Sequence, residues 1–160
     1  MDIFLISDSN YRGAVLHATR MINQMRANHE LGILETLMLG HSYMAAGLLT
    51  SLVKGNDRVV LTIDCDGPVR GVAVESNAHG EVRGYLRRQP IPVDGPVESF
   101  DLAPYIGEGT LSVTRHLEMA RNPFSGHVRL VYSNLAKDLA NYFVVSEQLP
   151  TAVSLSIQFD

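Results

Sequence analysis

The sequence predicts an α+β fold in which antiparallel β-meander sheets pack around a buried central helix. Three observations carry this. Residues 32–53 place apolar side chains on nearly every face of a helix, the pattern of a helix covered on most sides. Residues 58–87 alternate apolar and polar positions between turn signals, the period of antiparallel strands. Two helical patterns precede this meander and one lies within its second half, the element order of an α+β class.

Each element follows in chain order. Asp2 to Ile6 is a short strand, Ser7-Asp8-Ser9-Asn10 a turn, and Tyr11 to Ala18 a second strand candidate. Thr19 to His29 is predicted helical, with Thr19 a candidate N-cap and Met21, Ile22 and Met25 on one side. Gly32 separates it from the central helix, Gly32 to Val53. There Ala45, Ala46 and Gly47 make a patch small enough for another backbone to approach. Lys54-Gly55-Asn56-Asp57 ends that helix, with Gly55 suited to a left-handed cap.

Arg58 to Asp64 alternates Val59, Leu61 and Ile63 against Val60 and Thr62, and Asp66-Gly67-Pro68 turns the chain. Val69 to Glu75 is the return strand, Ser76 to Gly80 a loop, and Glu81 to Arg87 a third strand. Gln89 to Pro96 holds three prolines and reads as an irregular crossing. Leu102 to Ile106 is one helical turn. Thr110 to Leu117 and Gly126 to Tyr132 pair across Asn122-Pro123, Leu135 to Val145 is an amphipathic helix, and Ala152 to Phe159 is a last strand. That strand runs to Asp160 without a cap or closing turn, so residues 1–160 are expected to be one core domain truncated before further chain.

Composition narrows the function. At 160 residues the chain is one domain, with enough length for a real core. Charged residues make up only 19%, which leaves apolar surface exposed and points to a partner, an oligomer or a client site. The net charge is −4, and the densest basic spot, Arg83, Arg87 and Arg88, has no interleaved aromatic ladder. Nucleic-acid binding is not expected on that pattern. The apolar stretch Ile33 to Val53 is interrupted by Glu35, His41, Ser42, Thr50 and Ser51, too often for a membrane span. The start has no basic n-region, so no signal peptide is read there. The expectation is a soluble cytoplasmic protein.

The chemistry-bearing residues are sparse. Cys65 is the only cysteine, which rules out an intrachain disulfide or a cysteine-based zinc site among these residues. It sits between Asp64 and Asp66, whose charges disfavour the thiolate, so a structural role is expected for it. Gly107-x-Gly109 leads into a strand pattern, and no glycine or lysine of a phosphate loop follows, so it reads as a turn. His41 with Ser42, Glu35 and Asp138 shows no catalytic spacing, and His41 is read as a hydrogen-bonded core or interface residue. The methionines, four of them between Met21 and Met44, suit core packing, with an adaptable contact surface as the sharper alternative.

Several segments together resemble the heat shock protein 33 family. They are Leu61-Thr62-Ile63-Asp64-Cys65-Asp66-Gly67-Pro68, Gly80-Glu81-Val82-Arg83-Gly84-Tyr85, and Ile106-Gly107-Glu108-Gly109-Thr110-Leu111-Ser112-Val113-Thr114. Gly126-His127-Val128-Arg129-Leu130 follows, and then Asp138 to Pro150, which ends in Ser-Glu-Gln-Leu-Pro. The resemblance implies a stress-response holdase, a heat shock chaperone that binds unfolding proteins without ATP and works as a homodimer in the cytoplasm. It further implies that a helical linker and a zinc domain with four cysteines follow the core and make the chaperone redox-regulated. None of those cysteines is present, so zinc is expected only outside these residues. No catalytic, cofactor-binding or metal-binding residue is assigned, and no individual client-binding residue. A second reading stays open: a cation-binding or small-molecule enzyme that uses the turns around Asp64, Asp66 and Glu108, whose two aspartates share a side if the strand continues.

Overall fold

The computed structural model describes residues 1–6, 8 and 10–159; Ser7, Ser9 and Asp160 lie outside the described residues. With Ser7 and Ser9 goes half of the expected first turn, and with Asp160 the expected chain end. The elements are β1 (Asp2–Ile6), β2 (Tyr11–Val15), α1 (Thr19–His29), α2 (Ile33–Leu49), a 3-10 turn (Thr50–Leu52) and β3 (Arg58–Cys65). Then come β4 (Gly71–Asn77), β5 (Val82–Leu86), α3 (Ala103–Ile106), β6 (Gly109–His116), β7 (Phe124–Arg129) and α4 (Leu135–Ser146). The predicted α+β class is the observed one.

Five strands form an antiparallel sheet in the order β5-β4-β3-β6-β7, and β1 pairs with β2 in a separate hairpin. β3 is central because its alternation is the cleanest. Val59, Leu61 and Ile63 point to one face and are almost wholly buried. Leu61 lies between Val74 of β4 and Val113 of β6, and Ile63 between Val72 and Leu111. The irregular segment 87–102 and α3 carry the chain from the β5 edge to the other side of β3. There Gly67 and Val69 hydrogen-bond the carbonyls of Ile106 and Tyr105, fastening the Asp66-Gly67-Pro68 turn to α3.

α2 and α4 cover the inner face of the sheet. Of the seventeen residues of α2 only Ile33, His41 and Leu48 escape burial, so the helix has no solvent side. It meets the sheet through Tyr43, whose hydroxyl donates to the Gly84 carbonyl at 3.3 Å, and through the Ala46 carbonyl, which accepts from Ser76 Oγ at 2.8 Å. Its other side is reached through glycines two turns apart. A Cβ on Gly40 would sit 2.5 Å from Ile157 Cδ1, and one on Gly47 2.6 Å from Leu16 Cδ2. The expected small patch is therefore real, and both the sheet and the chain leaving β2 use it.

Several expectations shift. α1 has Ala18 as its N-cap with no side-chain cap, so Thr19 is a helical residue and does not cap. β2 ends at Val15, because Leu16 turns down onto Gly47. Gly55 does take a left-handed φ of 56°, but in the turn after the 3-10 segment and not as the cap of α2. The return strand begins at Gly71, since Val69 belongs to the α3-bound turn, and β7 begins at Phe124 and ends at Arg129. Ala152 to Phe159 is extended with alternating exposure but pairs with no strand among the described residues. Its period of two reflects the surface beneath it.

Because Leu61 is fully buried between two strands, Leu61→Ala is expected to cost about 2–5 kcal/mol of unfolding free energy. Urea unfolding at unchanged m-value checks this. A loss under about 1 kcal/mol would contradict the central place given to β3.

Candidate functional site

The inner face of the sheet carries one charged residue at a core position. β6 points Leu111 and Val113 inward, and Arg115 is next in that register, opposite Val59 and Phe124. Its guanidinium lies 5.5 Å over the Phe124 ring and pairs with the Glu147 carboxylate just past α4. The Tyr142 hydroxyl donates to the same carboxylate oxygen at 2.9 Å. A Cβ on Gly126 would sit 2.7 Å from that hydroxyl, so glycine on β7 makes room for the cluster. Burial alone would raise the Glu147 carboxyl, but hydrogen bonds from Arg115 and Tyr142 and the Arg115 charge outweigh it and hold it below its ordinary 4.5. Burial disfavours charge on Arg115, yet Glu147 keeps its pKa above the usual value. Burial, then the bond to Glu147, raises Tyr142.

This cluster fixes how the chain leaves α4. The amides of Glu147 and Leu149 both donate to the Phe143 carbonyl, and Gln148 takes a left-handed φ of 54°. Pro150 follows three residues past the C-cap Glu147. Residues 151–159 run extended across α2 and α1 as a strap. Val153, Leu155, Ile157 and Phe159 turn toward the core, while Ala152, Ser154, Ser156 and Gln158 face out. Among the described residues no backbone hydrogen bond ties 151–159 to another segment. Phe159 is instead held by its ring, 6.4 Å from Phe100 and with the Arg26 guanidinium 5.6 Å over it. Beside Leu155 lies a cavity of about 160 Å³ that also touches Met38, His41 and Phe100.

The residues singled out from sequence are committed elsewhere. β3 ends at Cys65, and Asp64 and Asp66 have separate partners: Asp64 pairs with Arg87, and Asp66 Oδ1 accepts from the Glu108 amide at 2.8 Å. Glu108 itself is exposed, with Arg129 at 3.6 Å. Arg83 pairs with Glu75 at 2.7 Å, so two arginines of the basic spot are balanced by carboxylates. Gly107 takes a φ of 70° in the turn beside Asp66, and no helix follows it. Burial raises the Cys65 thiol, with Asp66 and Asp64 adding to it against the Gly67 amide; the aspartates act as expected but are not the leading cause.

Ser42 Oγ donates to the Met38 carbonyl at 3.0 Å, and Glu35 Oε1 accepts from the Ile91 amide at 3.0 Å. Asp138 accepts from the amides of Val131, Tyr132 and Asn134, a turn-closing role that sequence spacing does not reveal. His41 faces the cavity, and burial lowers its pKa. It makes no hydrogen bond among the described residues, so the expected bonded role is not the observed one. Met25, Met38 and Met44 are core residues and Met21 packs against them. Among the described residues no three His, Cys, Asp or Glu side chains converge.

The β1–β2 hairpin is rich in exposed apolar side chains: Ile3, Phe4, Leu5, Ile6, Tyr11 and Val15. The hairpin is joined to the body by Arg12, which donates to the Ser51 carbonyl, and by Leu16 on Gly47. No helix is long and apolar enough to cross a membrane among the described residues.

The comparisons with known proteins agree with this architecture. The family model described as Hsp33 protein matches residues 1–160. The 33 kDa chaperonin of Desulforamulus reducens is 36% identical over 155 residues, covering 96% of this chain and 52% of that protein. The 33 kDa chaperonin of Thermotoga maritima is 34% identical over 154 residues, covering 96% of this chain and 53% of its own. The crystal structure of the Thermotoga maritima 33 kDa chaperonin superposes with a TM-score of 0.89 at 34% identity, over 99% of this chain and 55% of that one. The chain spans about half the length of the curated relatives it matches.

Since the folded Glu147 carboxyl titrates below its ordinary 4.5, its ionisation stabilises the fold above that value, and the stabilisation fades as pH falls through the folded pKa. Glu147→Gln is therefore expected to unfold more easily than the parent at pH 7, with the gap closing as pH falls below 4.5 and through the folded pKa. Thermal melts across pH 3–7 check this. A gap that persists at the acid end would show that the ion pair is not its source.

Proposed function

This chain belongs to the Hsp33 family, and on that premise we propose that it is the client-binding core of an ATP-independent holdase. One observation carries the reading: the β1–β2 hairpin presents six large apolar side chains to solvent on a two-stranded ribbon. Exposed apolar surface of that kind is expected to be covered by partners. A holdase works by mass action, lowering the free concentration of aggregation-prone chains. Flexible apolar contacts suit many clients where a precise pocket would select one.

The same reading makes the protein a cytoplasmic homodimer that acts on unfolding proteins and catalyses no reaction. Asp64 and Asp66 are each engaged separately, so the cation-site enzyme has no geometric support. Oxidative activation, with zinc held by cysteines, belongs in this proposal to segments that the relatives carry beyond the matched half. Residues 1–160 by themselves are then a constitutive chaperone core, since Cys65 is a poorly ionised thiol.

The test is light scattering of a heat-denatured client with and without peroxide. Equal suppression in both conditions is the expected result. Strong peroxide dependence would contradict the constitutive core, and no suppression in either condition would contradict the holdase reading.

A further inference from the structure

The cavity of about 160 Å³ lies where α2, β3, α3 and the start of α4 meet. Met38, Ile63, Ile106 and Leu135 line it with buried core side chains, so its apolar wall belongs to the body of the fold. Leu155 is the one lining residue from 151–159, and the exposed Asp101 stands at the mouth.

The polar groups at this cavity are partly committed already. Ser42 Oγ donates to the Met38 carbonyl at 3.0 Å and Ser133 Oγ to the Gly107 carbonyl at 2.9 Å, so both hydroxyls present lone pairs alone. His41 differs. It projects from the middle of α2 into the cavity and makes no hydrogen bond among the described residues. Its nitrogens are accessible, since no described side-chain nitrogen or oxygen is both sealed from solvent and unpartnered. Burial lowers its pKa, so at neutral pH the ring is uncharged and offers one N–H and one lone pair.

Size and polarity together define a ligand. A cavity of about 150 Å³ accommodates benzene, so one six-membered ring with a small substituent suits this one. Small-molecule sites combine an apolar wall with a few placed polar groups. Here those groups are an imidazole that both donates and accepts and two hydroxyl lone pairs. A phenolic hydroxyl, itself donor and acceptor, matches them. A carboxylate would meet the Asp101 charge and the lone pairs, and an ammonium would exchange water for an apolar wall. We propose that this cavity is a binding site for a free, uncharged, single-ring phenol, with its ring against Met38, Ile63 and Ile106 and its hydroxyl on His41. The site is independent of the holdase reading, because it involves neither the β1–β2 hairpin nor a bound chain.

The test titrates the 160-residue chain with p-cresol and follows the methionine methyl groups and histidine rings by NMR. Saturable shifts at Met38 and His41 are expected. Toluene, benzoate and benzylamine, similar in size but unlike in polarity, are expected to bind at least about fivefold more weakly, the worth of one hydrogen bond. His41→Leu is expected to remove the preference for p-cresol over toluene while leaving toluene binding in place. Ala136→Phe, which puts a ring into the cavity from the first turn of α4, is expected to abolish both; if a variant does not fold, the ligand series on the parent decides. No saturable binding, a preference for benzoate, equal affinity for toluene and p-cresol, or p-cresol binding indifferent to His41→Leu would overturn the proposal. Equally tight binding of an acetylated Gly-Tyr-Gly amide would also overturn it, by making the site a socket for chain segments.

Discussion

A helix that is apolar on every side has to be covered on every side, and α2 imposes that requirement on the rest of the molecule. About 25 Å of helix with fourteen buried residues cannot be satisfied by one sheet, because a sheet covers one side only. β3, β4 and β5 take the side that carries Tyr43 and Ala46. The remainder is left to α1, to Leu16 at the root of the hairpin and to the strap. The order of the β-strands, the crossing over α3 and the placement of α4 all follow from building a five-stranded face wide enough for α2 and α4 together.

The two covers of α2 differ in kind. The sheet side is a continuous antiparallel ladder in which every inward side chain of β3 is flanked on both sides. The strap has apolar contacts and one glycine-mediated close approach, Ile157 on Gly40, with no ladder among the described residues. A cover held by side chains opens at lower cost than a cover held by backbone pairing, since local stability tracks the buried contacts and hydrogen bonds of each segment.

How much of this was legible from the residues follows from the range of each interaction. α2 and β3 could be read because their patterns are local: unbroken apolarity over 32–53, and Val59, Leu61 and Ile63 at period two. Leu135 to Val145 was legible for the same reason, to within one residue of the observed α4. Arg115 was not, because its partner Glu147 is 32 residues away; its only trace is a charge at an inward position of β6. Asp138 closes a turn through backbone amides that no spacing rule records. Thr19 looked like a cap by type, but Ala18 stands at the boundary. The strap was read as a strand because period two reports the surface under a segment and says nothing of whether it has a neighbour to pair with. The family resemblance draws on five segments together, and the structure gives the end of the last, Ser146-Glu147-Gln148-Leu149-Pro150, a physical reason: it holds the carboxylate of the ion pair and the left-handed turn that aim the strap.

α2 lies between a cover paired by backbone ladders and one that, among the described residues, touches it through side chains. Native-state hydrogen exchange on the 160-residue chain, resolved by segment, tests it most directly. Amides of β3 and β6 are expected to exchange only through global unfolding. Those of residues 151–159 are expected to exchange through a local opening that is insensitive to low denaturant and that exposes no part of the five-stranded sheet. Protection of 151–159 equal to that of β3, with the same denaturant dependence, would mean that the strap and the sheet open as one unit, and would contradict the account.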